Sequence, residues 1–322
     1  MKQHFRRSAL TVAAAVTGLA LVMSGCSGSD STVTNEKGFP SKLTLAAVPA
    51  ENSTDLKASY DPLIAMLEHE TGAEVEFVQA SDYAGVVEGI IAGKVDLAFF
   101  GPFAYVVAGI NKAQISPLGA VVKQAGGKPG YQSYGLTRSN NTAINGLADF
   151  AGKKVCFVDP SSTSGFLYPS AGLIDAKVIK SGSEADIAAG VTPIYAGGHD
   201  ASALSIASGD CDAGFAFDTM VDKTMIDKGD LKPGQLKTVW KSEMIAGSVF
   251  AASNKLGTAA IDKLRTLFTE KANADSLKAA GYCTGECRIT DERAWGVVAA
   301  ADADYDGVRR VCQITGSKKC KG

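Results

Sequence analysis

The chain has 322 residues, 46% hydrophobic and 20% charged, with a formal net charge of −2. That hydrophobic share excludes a disordered chain, and without a basic excess there is no global electrostatic case for nucleic acid. A length beyond about 250 residues argues for two domains rather than one core.

Residues 1–7 carry Lys2, Arg6 and Arg7, and residues 9–23 are apolar. The run has the length of a signal sequence and is too short to span a bilayer comfortably. It ends in Ser24-Gly25-Cys26 and is followed by Ser27-Gly28-Ser29-Asp30-Ser31. Small residues before a cysteine, with a polar stretch after it, resemble a bacterial lipoprotein signal. The resemblance implies that residues 1–25 are removed and that Cys26 is lipidated. Residues 26–41 then form a flexible tether, and the protein sits lipid-anchored on the extracytoplasmic face of the cell membrane. An ordinary secretory signal cleaved nearby is the alternative. Losing residues 1–25 takes away three basic residues and no acidic ones, which moves the formal charge from −2 to −5.

The remainder alternates strand and helix patterns. Residues 42–48 read as a buried strand, 55–71 as an amphipathic helix stopped by Gly72, and 74–78 as a second strand. Residues 83–92 read as a helix and 95–100 as a strand. The pattern repeats with strands over 154–158, 192–195 and 213–217 and helices over 165–175 and 201–208. Residues 131–138 and 243–253 read as the two crossings between the repeats, and the chain beyond Gly257 reads as mostly helical. The expected fold is α/β, with two lobes of mainly parallel sheet joined by a two-strand hinge. Lobe 1 is 42–130, completed by 246–322, and lobe 2 is 131–245. Ligands in such sheets bind beyond the strand C-termini, here between the lobes.

Beyond Cys26, six cysteines remain, an even number in an exported chain. Proximity favours Cys283–Cys287 and Cys312–Cys320, which leaves Cys156–Cys211, although fifteen pairings are open. Cys283 and Cys287 have no histidine nearby, so neither a metal site nor a cofactor is expected.

The most informative segment is Asp159-Pro160-Ser161-Ser162-Thr163-Ser164-Gly165-Phe166, where a strand runs through hydroxyls and a glycine into a helix. Backbone N–H groups at a helix start and clustered hydroxyls make a site for a phosphate-like anion. Helix capping would explain one of these hydroxyls but not three.

With this segment stand Ser81-Asp82-Tyr83-Ala84-Gly85, Lys94-Val95-Asp96-Leu97-Ala98, Gly130-Tyr131 and Gly198-His199. Together, across residues 42–255, they resemble the periplasmic phosphonate-binding proteins, the solute-binding components of ABC importers for phosphonates and related phosphorus oxyanions. The resemblance implies a type II periplasmic-binding fold and a small ligand such as phosphonate, phosphite or phosphate. It also implies an ABC permease as partner and a monomer that works without catalysis. By the same resemblance, Ser162, Thr163 and Ser164 bind the phosphoryl group, and Tyr83 and Tyr131 donate phenols. Tyr105 and Tyr134 are nearby tyrosines that compete for those roles.

His199, at a helix start, offers a further donor, and protonation would add charge complementarity. Asp218, at the end of the 213–217 strand, is expected to face the cleft and accept from a protonated ligand oxygen or an amine. Family members that take aminoalkylphosphonates hold the amine with carboxylates from two segments, but this chain has Ser248 at one of those positions and Thr219 at or beside the other. That departure disfavours 2-aminoethylphosphonate. Ser164, His199 and Asp218 have the residue types of a hydrolytic triad but lack the Gly-x-Ser-x-Gly elbow, and no nucleotide-binding loop is present. A ligand-sensing or structural surface lipoprotein without a transport role is the second reading.

Overall fold

A computed structural model of the protein describes residues 34–51 and 56–321. Cys26 and the apolar leader lie outside the described residues. Strands β1 (Lys42–Ala47), β2 (Glu74–Gln79), β3 (Leu97–Phe100) and β4 (Ile115–Val122) precede the first crossing. Strands β5 (Ser133–Arg138), β6 (Lys154–Phe157), β7 (Thr192–Tyr195), β8 (Ala213–Phe217) and β9 (Leu236–Lys241) lie between the crossings. Strands β10 (Val249–Ser253) and β11 (Gly296–Val298) follow the second. Lobe 1 is a six-stranded sheet in the order β11-β4-β10-β3-β1-β2, and lobe 2 a five-stranded sheet in the order β7-β6-β8-β5-β9.

Both sheets are mixed. The expected parallel pairing holds for β1 with β2 and β3, and for β6 with β7 and β8. The other pairs are antiparallel. Direction at the hinge explains the difference. β1, β3, β6 and β8 end at the cleft, whereas β5 and β10 each leave a crossing and run away from it. The crossings pair with each other: Tyr131 N donates to Ile245 O at 3.2 Å and Ile245 N to Tyr131 O at 2.9 Å.

The helix expected over 55–71 is a 3₁₀ turn Lys57–Ser59 and a helix Asp61–Thr71. Pro62 suits a helix's first turn, where its missing N–H costs nothing, and Gly72 closes the helix at φ 68°. Residues 34–41 do not behave as a tether. Phe39 is buried, and Asn35 Nδ2 donates to Thr71 O at 3.0 Å. Lys37 Nζ also donates to His69 O at 2.6 Å and Lys263 Nζ to Lys37 O at 2.9 Å, so this stretch lies on lobe 1.

Each lobe has an aromatic centre. Phe250 lies 4.6 Å from Phe99 and 4.8 Å from Phe268 in lobe 1 (ring centroids), and Phe157 lies 5.4 Å from Phe215 in lobe 2. Each such side chain, when fully buried, contributes about 1.5–3 kcal/mol. The disulfides are Cys156–Cys211, Cys283–Cys287 and Cys312–Cys320. The C-terminal helix Asp306–Thr315 packs against Pro102–Ile110 of lobe 1 and also against Tyr168–Asp175 of lobe 2. Residues 246–322 therefore do more than complete lobe 1, because their last helix straps the two lobes together.

Candidate functional site

The hydroxyl loop is built by local hydrogen bonds. After β6, Asp159 Oδ1 accepts from Ser161 N at 2.6 Å and Asp159 O from Ser162 N at 2.8 Å. Ser162 caps the next element, its Oγ accepting from Gly165 N at 3.0 Å. That element is a π-helical turn Thr163–Leu167, continued by the helix Tyr168–Asp175. Glycine is required at 165, since a Cβ there would stand 2.4 Å from Val158 Cβ. The backbone can fold this tightly only without a side chain.

Four helix starts meet at this loop. A cavity of about 20 Å³ is lined by Tyr83 and His199, the first residues of helices Tyr83–Ile91 and His199–Ser208. Gly101, which precedes helix Pro102–Ile110, also lines it, as do Ser162, Thr163 and Ser164. Tyr131, Ser248 and Glu292 complete its polar wall, and among the described residues no Lys or Arg contributes to it. Positive helix ends and neutral donors therefore face one small space, an arrangement that favours an anion without burying a cation. On the same scale a single water needs roughly 10–15 Å³.

The donors are preset. Thr163 Oγ1 accepts from Phe103 N at 2.8 Å, which leaves its hydrogen to point elsewhere. His199 Nδ1 accepts from Phe217 N at 3.2 Å, so the ring proton of the neutral imidazole sits on Nε2. Burial pulls the His199 pKa down to about 3. The expected charge complementarity from a protonated His199 is thus corrected: the ring is a neutral Nε2–H donor, 3.4 Å from Ser162 Oγ. Burial raises both the Tyr83 and Tyr131 phenols, which keeps them protonated as donors. Tyr83 faces Ser162, and Tyr131 faces Thr163 and Ser164. The competing tyrosines are tied elsewhere, Tyr105 to Asp302 at 2.8 Å and Tyr134 to Asp222 at 2.9 Å.

Six of the seven expected ligand residues line the cavity; Asp218 does not. Its Oδ2 accepts from Lys123 Nζ at 2.7 Å and from Gln132 N at 3.2 Å. Its Oδ1 accepts from Thr219 N at 2.7 Å. The 213–217 strand delivers Asp218 to the hinge, where a lysine and two amides take up the carboxylate. The carboxyl in the cavity belongs instead to Glu292, a residue that sequence reasoning missed. Ser248 Oγ donates to Glu292 Oε1. The spot beside Ser248 therefore does hold a carboxyl, brought there by a segment 44 residues further on. Burial pushes the Glu292 carboxyl up to about 7, against the Ser248 bond and Lys123, which lower it.

The lobes are closed over this cavity. His199 N donates to Ala50 O at 2.8 Å, Lys228 Nζ pairs with the buried Glu51 at 2.7 Å, and Phe103 N reaches Thr163, each contact crossing between lobes. A larger groove of about 450 Å³ lies outside, lined in part by Val87, Ile91, Phe166 and Tyr195. Its wall also carries Ser161, Ser317, Lys318 and Lys319, but of the Ser162-Thr163-Ser164 run, Tyr83, Tyr131 and His199 none lines it. Among the described residues no cluster of His, Cys, Asp and Glu could hold a metal ion, and no helix is long and apolar enough to cross a membrane.

Residues 45–292 match the periplasmic substrate-binding proteins of phosphonate ABC transporters. The chain belongs to this family. It is 72% identical to the phosphate-import protein PhnD of Mycolicibacterium smegmatis, over 97% of this chain and 98% of that protein. It is 29% identical to the phosphonates-binding periplasmic protein of Escherichia coli, over 74% of this chain and 68% of that one. The solved structure of PhnD1 from Prochlorococcus marinus, in complex with methylphosphonate, superposes with a TM-score of 0.69 at 20% identity, covering 86% of this chain and 98% of that one. The fold is therefore that of the type II periplasmic binding proteins. The family consists of extracytoplasmic binding proteins of importers, not enzymes.

Proposed function

We propose that the protein captures a compact phosphorus oxyanion, inorganic phosphate foremost, and delivers it to an ABC permease from a lipid anchor on Cys26. The observation that carries the reading is the closed cavity of about 20 Å³ at four helix starts, with three consecutive hydroxyls in its wall. In this reading Ser162, Thr163 and Ser164 replace the anion's hydration shell. Tyr83, Tyr131 and the Nε2–H of His199 donate from the remaining sides. Neutral donors suit a cargo that must be released, because desolvation is repaid by many moderate bonds rather than by one buried ion pair.

The space also bears on the competing ligands. Glu292 beside Ser248 removes the argument that no carboxyl is present for an ammonium, so selectivity against 2-aminoethylphosphonate rests on size. A small tetrahedral group asks for the least further opening of the cavity, whereas an aminoethyl tail would hold the lobes apart. The high identity to a phosphate-import protein supports phosphate as the first candidate.

Calorimetric titration of the purified protein with phosphate, methylphosphonate, phosphite and 2-aminoethylphosphonate tests this. Tight binding of phosphate or methylphosphonate, with the aminated ligand weaker, is expected. Preference for 2-aminoethylphosphonate, or no binding of any of the four, would overturn it. For the anchor, Ser24-Gly25-Cys26 predicts acyl labelling in the native host that Cys26→Ala abolishes. An unlabelled wild-type protein would refute that part.

A further inference from the structure

We propose that Glu292 sets which oxyanion the cavity accepts: its carboxyl shares a proton with an O–H of the bound anion, so the site takes hydrogen phosphate and turns away fully ionised sulfate. The inference rests on the reading of this cavity as the phosphorus-oxyanion site. Its basis is geometric. Among the described residues every other polar side chain in the cavity wall is a hydroxyl, a phenol or a neutral imidazole. Among the described residues of that wall Glu292 alone can carry negative charge, and the buried Ser248 fixes its Oε1.

The surroundings do not neutralise that charge. Lys123 lowers the Glu292 pKa, but its ammonium is bonded to Asp218 at 2.7 Å. Asp218 adds a push in the opposite direction. Asp291, the neighbouring residue, is buried against Tyr60, whose hydroxyl donates to its Oδ1 at 2.9 Å. Burial pushes the Asp291 carboxyl up, Glu292 and Glu51 adding to the effect. Tyr83, Tyr131 and His199 face the cavity as uncharged groups.

A carboxylate and an oxyanion in contact within so small a space repel strongly unless a proton lies between them. With that proton the contact becomes a short, charge-assisted hydrogen bond. Hydrogen phosphate brings the proton itself, as does the monoanion of an alkylphosphonate. Sulfate brings none near neutral pH, so above the value of about 7 to which burial pushes its carboxyl Glu292 would have to take one from water. Discrimination therefore comes from a repulsive element built into an otherwise attractive site.

The test is calorimetric titration of wild type and Glu292→Gln with phosphate and sulfate at pH 8, above the value of about 7 to which burial pushes the carboxyl. The amide keeps the shape and offers N–H groups that a fully ionised oxygen accepts. Wild type is expected to reject sulfate. In the Gln variant the ratio of sulfate to phosphate dissociation constants should fall by about tenfold or more. An unchanged ratio, or an equal loss of both anions, would overturn the proposal and leave Glu292 a structural prop. A larger loss for 2-aminoethylphosphonate than for phosphate would also overturn it, making Glu292 an ammonium ligand.

If Glu292→Gln does not fold, Glu292→Asp decides. Continued rejection of sulfate supports the proposal, and acceptance at parity with phosphate refutes it. Wild-type protein that binds no phosphorus oxyanion at all would refute the site itself. Wild-type protein that binds phosphate without rejecting sulfate would refute only the role of Glu292.

Discussion

The two walls of the cavity are made differently. One is a single run, Ser162-Thr163-Ser164, whose donors are placed by a helix start and by bonds within a few residues. The other joins Ser248, at the head of β10, to Glu292, 44 residues further on. The first wall offers donors that any tetrahedral oxyanion would satisfy. The second carries Glu292, among the described residues of the wall the one group that can repel an anion. The contrast separates affinity from selectivity, and each of the following changes tests that separation.

The largest effect is expected for Thr163→Val. It removes a donor to the anion and the acceptor of the Phe103 N–H bond across the lobes. A hydrogen bond to a charged group is worth about 1.5–3 kcal/mol, so phosphate affinity should fall by roughly 10- to 150-fold with sulfate rejection retained. Titration that shows unchanged affinity would move the loop out of the site. His199→Phe should cost about tenfold by loss of the Nε2–H donor. Because burial holds the wild-type ring near a pKa of about 3, this loss should be the same at pH 6 and pH 8. A loss confined to the lower pH would mean that the imidazolium binds.

The carboxyl wall should show in stability. The folded pKa of Glu292 is about 7, against roughly 4.3 in an unfolded chain. Between these values the folded state holds the extra proton, so this contribution is complete below the lower value and is lost as pH rises through the upper one. His199 acts in the opposite sense, with a folded value of about 3 and an unfolded one near 6.5, so only a comparison isolates Glu292. From pH 4.5 to pH 8, wild type should lose on the order of 1–3 kcal/mol relative to Glu292→Gln. Parallel denaturation curves would contradict the assignment.

The smallest effect is expected for Asp218→Asn. Asp218 lies outside the cavity wall and its partner Lys123 is 44% exposed; ion pairs open to solvent contribute about 0–1 kcal/mol, so affinity should change less than about fivefold. A change as large as that from Thr163→Val would return Asp218 to the ligand.

The same contrast marks what the sequence made legible. The Ser162-Thr163-Ser164 wall could be read because strand, turn and helix signals lie within a dozen residues. Strands β7 and β8 were legible for the same reason, as short apolar runs between turn signals. The antiparallel partners were not, because the direction of β5 and β10 depends on where the hinge lies. Asp218 was misplaced because a position at a strand end does not reveal that Lys123, from the other lobe, will claim it. Glu292 carried no local signal at all: Thr290-Asp291-Glu292-Arg293 reads as an ordinary polar loop. Only the tertiary fold brings it to Ser248.

The most direct test of the account is a crystal structure of the protein grown with phosphate. The account predicts one anion within hydrogen-bonding distance of Thr163, Ser164, Tyr131 and His199 Nε2, with a Glu292 oxygen on the remaining side. An anion in the outer groove beside Phe166 and Tyr195, or one in the cavity with the Glu292 side chain turned out to solvent, would contradict it.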